Sequence, residues 1–128
     1  LRSAACPQHS AARLHANLLN ARCWRRAVSG RQLDVALADC HASLALKESA
    51  AALDSRAFVY MRLGRIEEAI ADYDAALKLR PAQASSLFGR GIVKLRKGAT
   101  EDGQADLSAA RAIDPRIDAQ FADYGVKL

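Results

Sequence analysis

From Ile66 to Leu79 the apolar residues Ile66, Ala69, Ile70, Tyr73, Ala76, Leu77 and Leu79 return at steps of three and four, with polar residues between them. That period predicts an amphipathic helix. The stretch before it, "DSRAFVYMRLG", has the same texture and ends on Gly64, a residue suited to a helix C-terminus. Pro81 follows the second stretch and stops it. The local expectation is a helix, a tight turn and a second helix, and no segment of the chain reads as a strand.

This unit recurs. Gly30, Gly64 and Gly98 stand 34 residues apart, and around them fall the columns Leu19/Leu53/Leu87, Arg22/Arg56/Arg90, Cys23/Ala57/Gly91 and Trp24/Phe58/Ile92. The second halves, "LDVALADCHASLAL", "IEEAIADYDAALKL" and "TEDGQADLSAARAI", align as Ala36/Ala69/Gly103, Asp39/Asp72/Asp106, Cys40/Tyr73/Leu107 and Ser43/Ala76/Ala110. They close on Glu48/Pro81/Pro115. Small residues recur once in each first helix and twice in each second helix, which marks the points where two backbones approach. A larger side chain there would force the helices apart at a cost of roughly 1–3 kcal/mol. One helix pair buries little by itself, so the copies must stack.

The small–aromatic–small–proline order over this period resembles the tetratricopeptide repeat. The middle unit carries the resemblance best, through Leu53, Ala57, Tyr60, Gly64, Ala69, Tyr73, Ala76 and Pro81, and "RLGRIEEAIADYDAALKLRP" looks like a bacterial version of the motif. The first unit departs from it with Cys40 and Glu48, the third with Gly91 and Gly103. The resemblance implies an all-α fold, a right-handed α-α superhelix of three units over residues 16–49, 50–83 and 84–117. Residues 1–15 should prolong the first helix backwards, making it unusually long, up to Ser29. Residues 116–128 should give an amphipathic helix with Ile117, Phe121 and Tyr124 on one side, whose residues 118–128 cap the last pair.

Proteins of this family bind peptides or partner segments in a concave groove lined by the first helices. Carried onto this chain, the groove should present Asn17, Asn20, Trp24 and Val28, then Asp54, Phe58, Met61 and Arg62, then Phe88, Ile92, Leu95 and Arg96. Trp24, Phe58 and Ile92 would form an apolar spine. Such a strip is either a row of hot spots for a partner or a surface buried internally by curvature or by the long first helix. Family members that grip chaperone tails ending in EEVD clamp two carboxylates with Lys and Asn side chains. The corresponding positions here hold Asn20, Trp24, Ser55, Ser85 and Gly89, so a carboxylate clamp is not expected.

Charge modifies this picture only modestly. With 19 Lys+Arg against 14 Asp+Glu the net charge is +5, which attracts acidic partners at long range. Arg25, Arg26, Arg31, Arg62, Arg65, Lys94, Arg96 and Lys97 gather near first-helix ends and turns, an electropositive rim. The Arg22/Arg56/Arg90 column recurs together with Asp39/Asp72/Asp106, which predicts one ion pair per unit setting register rather than a phosphate ladder. Cys23 and Cys40 occupy inward columns at nearly equal distances from the first turn. They suit either a disulfide, which would place the chain in a periplasmic or secreted setting, or two free buried thiols, compatible with the cytoplasm.

Signals for catalysis are lacking. His9, His15 and His41 are scattered, Cys6 with His9 makes half a metal site, and no glycine-rich phosphate loop follows a strand. The expectation is no enzyme, no cofactor, no metal and no small-molecule substrate. No apolar run of about 18 residues is present, so no membrane-spanning helix is expected. Beginning at Leu1 rather than methionine, the chain is expected to be a processed or excised product. The leading functional expectation is an adaptor that binds a protein or peptide. The alternatives are a structural, self-assembling domain of a larger protein and, less favoured, a nucleic-acid binder using the basic rim. Partner identity and oligomeric state are not readable.

Overall fold

The computed structural model describes residues 6–128, with side chains described from Ser10 onward. The expected N-terminal extension therefore falls partly outside the described residues, as do Cys6 and His9 as a metal pair. Seven helices follow one another: α1 (Cys6–Ser29), α2 (Leu33–Leu46), α3 (Ala50–Arg62), α4 (Ile66–Leu79), α5 (Ala84–Lys97), α6 (Thr100–Ile113) and α7 (Ile117–Asp123). α1 packs on α2, α3 on α4 and α5 on α6, and each pair stacks on the next through α2 with α3 and α4 with α5. The first helices α1, α3 and α5 also touch in sequence and form the inner wall, while α7 lies against α5 and α6. The architecture is the expected all-α stack of three helix pairs with a terminal helix, and α1 runs back as far as Cys6.

Local rules explain the segment ends. Ser49 is extended and its side chain accepts the Ala52 N–H at 3.1 Å, so α3 begins with a satisfied donor. At the far end of α5, Gly98 adopts φ +95°, a left-handed conformation that a side chain would strain. Its N–H reaches Leu95 O at 3.0 Å, and the Ala99 N–H reaches Lys94 O at 2.9 Å, so two terminal carbonyls of α5 are paired. Gly64 repeats both bonds, to Met61 O and from Arg65 to Tyr60 O, whereas Gly30 shares the left-handed φ but the Arg31 N–H goes to Ser29 Oγ.

The small-residue columns sit where helices meet. Ala57, Ala69, Ala76, Ala36 and Ala110 are inaccessible to solvent. In the third pair the approach is closer still. A Cβ built on Gly91 would lie 2.9 Å from the Gly103 carbonyl oxygen and 2.8 Å from Leu107 Cδ2, and one on Gly103 would lie 2.9 Å from the Gly91 carbonyl. The two glycines face each other, so this unit's departure from alanine reflects a tighter crossing. Larger side chains fill the rest of the interior: Phe58, Tyr73, Phe88, Ile92, Leu107 and Ile117 are fully buried. Each contributes about 1.5–3 kcal/mol through removal from water.

The first pair has a covalent tie. Cys23 on α1 and Cys40 on α2 are disulfide-bonded, with Cα atoms 5.5 Å apart across 17 residues of sequence. Just beyond it, Ser43 Oγ donates to Ala16 O at 2.7 Å, a buried contact near the far end of α2.

Gly91→Ala should lower stability. Overpacking costs about 1–3 kcal/mol, and the better helix propensity of alanine returns only about 1 kcal/mol. Urea denaturation should show a lower midpoint with an unchanged slope; an unchanged midpoint would mean that α5 and α6 separate freely. Replacing both Cys23 and Cys40 by alanine should cost about 3 kcal/mol, the chain-entropy value for a loop of this size. The same urea titration reads it, and an unaltered midpoint would rule out the bridge as a staple of the first pair.

Candidate functional site

The inner wall built by α1, α3 and α5 is the face expected to bind a partner, and its aromatic strip is covered. Two residues beyond the six paired helices do the covering: Phe121 of α7 and Tyr124 just after it. Tyr124 stands edge-on to Trp24 with ring centroids 5.3 Å apart and to Phe58 at 5.9 Å. Phe121 packs on Phe88 at 4.7 Å and on Phe58 at 6.0 Å. Trp24 and Phe58 themselves meet at 5.0 Å. Such aromatic pairs add about 0.5–1.5 kcal/mol each beyond their buried area.

Polar contacts hold the same segment. Arg62 Nη2 donates to the main-chain oxygen of Tyr124 and, at 3.3 Å, to that of Val28. Arg96 Nη2 reaches Lys127 O at 3.3 Å. Val126 is buried, and its N–H returns to Phe121 O at 3.0 Å. The bidentate pair of Arg111 with Asp118, 2.9 Å in each arm, anchors the start of α7 on α6. The C-terminal segment thus crosses from the third unit to Trp24 in the first.

This geometry corrects the expected groove. Phe58, Met61, Phe88 and Ile92 are core, each at most 4% exposed, so they do not form an open spine. The alternative of internal burial is what the structure has, but the covering element is C-terminal rather than the long first helix. α7 is accordingly more than a cap on the last pair. Leu95 turns toward α6, where a Cβ on Gly103 would meet its Cδ2 at 3.0 Å. Asn17 and Arg96 stay exposed, while Asn20, Trp24, Val28 and Arg62 are partly buried.

Asp54 also leaves the groove surface. It is buried, accepting from Ser86 Oγ at 2.7 Å and Ser85 Oγ at 3.2 Å, while Gln83 Nε2 donates to Ser86 Oγ at 2.7 Å. Burial pushes the Asp54 carboxyl up to about 6, against the opposing pull of the two serine hydroxyls. The nearby Tyr73 hydroxyl is buried without an acceptor, and its pKa rises well above the ordinary value, mainly through burial.

The arginine and aspartate columns meet on the other side of the first helices. Arg22 grips Asp39 at 3.0 and 2.8 Å, Arg56 grips Asp72 at 2.7 and 2.9 Å, and Arg90 grips Asp106 at 2.8 and 2.9 Å. Two of these arginines also reach the preceding unit: Arg56 contacts His41 Nδ1 at 3.1 Å and Arg90 contacts Asp74 at 2.8 Å. The bridging column, His41/Asp74, is not chemically uniform, so recurrence alone does not mark it. Burial works against ionisation of Asp39 and Asp106, yet the hydrogen bonds and charges of their basic partners hold both below the ordinary carboxylate range. Among the described residues no group of three or more His, Cys, Asp or Glu could hold a metal ion, and no helix is long and apolar enough to cross a membrane.

The seven helices pack in sequential pairs, as in tetratricopeptide-repeat domains. A family model described as TPR repeat matches residues 59–98, from within α3 to the end of the α5 turn. A solved structure described as the second TPR of Spaghetti (RPAP3) bound to HSP90 peptide SRMEEVD superposes with a TM-score of 0.79 and 17% sequence identity, covering 90% of this chain and 100% of that one. At that identity the likeness concerns the fold. It lends no support to the expectation that this chain lacks a carboxylate clamp. A comparison with curated proteins gives no match.

Asp54→Asn should gain stability over wild type as pH rises. The folded pKa near 6 lies above the ordinary 3.8, so folding takes up a proton. Wild-type stability then falls between about pH 4 and pH 6 and stays reduced above it. The variant should match wild type near pH 4 and exceed it at neutral pH by up to about 3 kcal/mol. Thermal melts at both pH values check this; equal differences at the two would refute the buried proton.

Proposed function

We propose that this chain is a protein-binding module whose inner wall receives an extended or short helical segment of a partner, and that its own C-terminal segment holds that place until the partner arrives. The observation that carries the reading is the manner of holding. Trp24 and Phe58 receive side chains of the segment, while Arg62 and Arg96 donate to its main-chain oxygens. Side-chain seating combined with main-chain hydrogen bonds is how a domain retains a peptide of another chain. α7 touches α5 and α6 far less extensively than the helices of a pair touch each other, and with only seven residues it is too short to be helical alone. Its detachment therefore costs far less than unfolding a helix pair.

The competing reading keeps the C-terminal segment as a permanent part of the core in a domain that serves assembly. The disulfide of the first pair favours an oxidising compartment, periplasmic or extracellular, under either reading. The paired arginines belong to the fold in this account, fixing the stagger of successive units rather than meeting a ligand.

Selection of peptides from a random library on Tyr124→Ala and on wild type tests the proposal. The variant loosens the seated segment, so selected peptides should bind it about tenfold more tightly than wild type. Trp24→Ala, with helicity preserved, should lose them. A peptide ending EEVD, included as a control, should bind neither form specifically. Equal weak binding to all forms, with hydrogen exchange in 121–126 as slow as in α3, would favour the permanent-core reading. Light scattering over a range of concentrations then reports assembly directly.

A further inference from the structure

We propose that Arg62 and Arg96 form a carboxylate-binding pocket at one end of the inner wall, suited to a glutamate side chain of an acidic partner segment. The inference deepens the peptide-binding reading by naming what such a partner carries, and a small probe tests it whether or not that reading holds.

The basic rim divides sharply once its partners are known. Arg26 pairs with Asp39, Arg65 with Glu68, Lys94 with Asp106 and Lys97 with Glu67. Arg25, Arg31, Arg62 and Arg96 pair with no carboxylate among the described residues, and of these Arg62 and Arg96 line a common pocket of about 280 Å³. Its other walls are Gly30, Leu33, Met61, Gly125 and Val126. Two guanidinium groups at one pocket without a counter-ion disfavour each other. Burial first, and then the Arg96 charge, pull the Arg62 guanidinium below its ordinary value.

The donors are also underused. Arg62 spends Nη2 on Val28 O and Tyr124 O, but its buried Nε finds no acceptor. A buried donor left unpaired is uncommon and calls for a partner. Arg96 is exposed and spends Nη2 on Lys127 O at 3.3 Å. A carboxylate can take guanidinium donors in two parallel bonds, with an attraction of opposite charges that a neutral carbonyl lacks, and it would relieve the repulsion between the two cations.

The lining selects among anions. Leu33, Met61 and Val126 border the two cations, so a carboxylate side chain can set its methylene stem against them, a contact a bare phosphate cannot make. The positions differ from Asn20, Trp24, Ser55, Ser85 and Gly89, where a carboxylate clamp would stand. Arg62 ends α3, and Arg96 is the second-last residue of α5. The pocket exists with the C-terminal segment seated, since Gly125 and Val126 are part of its wall. An incoming carboxylate competes for the same guanidinium groups that hold the Tyr124 and Lys127 carbonyls.

Titration of the intact chain with N-acetylglutamate amide, followed through the arginine Nε–H and Gly125 amide resonances, tests the assignment. Saturable shifts of these signals are expected, with N-acetylglutamine amide and inorganic phosphate each at least about tenfold weaker, a difference of about 1.4 kcal/mol. Arg96→Gln should weaken the glutamate probe about tenfold while helicity is preserved; Arg96→Lys should recover part of the loss. Equal binding of the glutamine analogue, phosphate binding as tight as glutamate, or an Arg96→Gln variant that binds as wild type would each overturn it. Saturable glutamate binding without any peptide selection would leave the pocket standing and sink the module reading. Selected peptides with no acidic residue and no dependence on Arg96 would do the reverse.

Discussion

A stacked helix pair can hide two of its faces, one against its own partner and one against the next pair, but stacking leaves the inner wall uncovered. Every first helix here carries a large apolar residue onto that wall: Trp24, Phe58 and Ile92, with Phe88 one turn away from the last. Leaving these side chains in water would forfeit about 1.5–3 kcal/mol each. The chain resolves the deficit with Phe121, Tyr124 and Val126 from its own C-terminal segment. The engagement of Arg62 and Arg96 and the shape of the remaining pocket follow from that one act of covering.

Charge then separates into two systems on opposite sides of the first helices. The recurrent arginines are held in fixed forks by aspartates of the same unit, and two of them extend to the unit before. Removing one partner of such a pair strands a partly buried charge, which costs more than the pair contributes in the intact fold. On the inner wall the arginines face main-chain oxygens instead, and neutral acceptors hold a cation more weakly. The first system is suited to permanence and the second to exchange.

The repeat was legible in the sequence because each of its columns answers a local requirement. Gly64 and Gly98 meet a left-handed turn, and Ala57 or Gly91 meets a backbone at close range. Pairing of Arg56 with Asp72 could be read from equal recurrence, and the closeness of Cys23 and Cys40 from their equal distance to a turn. The covered wall was not legible. Periodicity placed Ile117, Phe121 and Tyr124 on one face of a short helix, but which surface that face meets depends on how far three stacked pairs curve. That curvature is set by the Gly91–Gly103 crossing and its counterparts, a sum of small angles that no single column encodes. For the same reason Leu95, at helical spacing from Ile92, read as groove and proved to face α6.

Under the proposed function, a tethered occupant also sets the terms on which a partner binds. A segment joined to its site by a short connection competes at an effective concentration in the millimolar range. A partner must therefore match the aromatic contacts of Phe121 and Tyr124 and offer something the segment lacks. The segment's main-chain oxygens at Tyr124 and Lys127 satisfy one nitrogen each on Arg62 and Arg96, and no carboxylate among the described residues pairs with either guanidinium. Charge is the contact it leaves unmade. A neutral apolar segment could only equal the resident one and would lose to it on concentration. A segment with a carboxylate near its apolar residues gains from both guanidinium groups at once, so the self-covering that hides the wall also makes it selective.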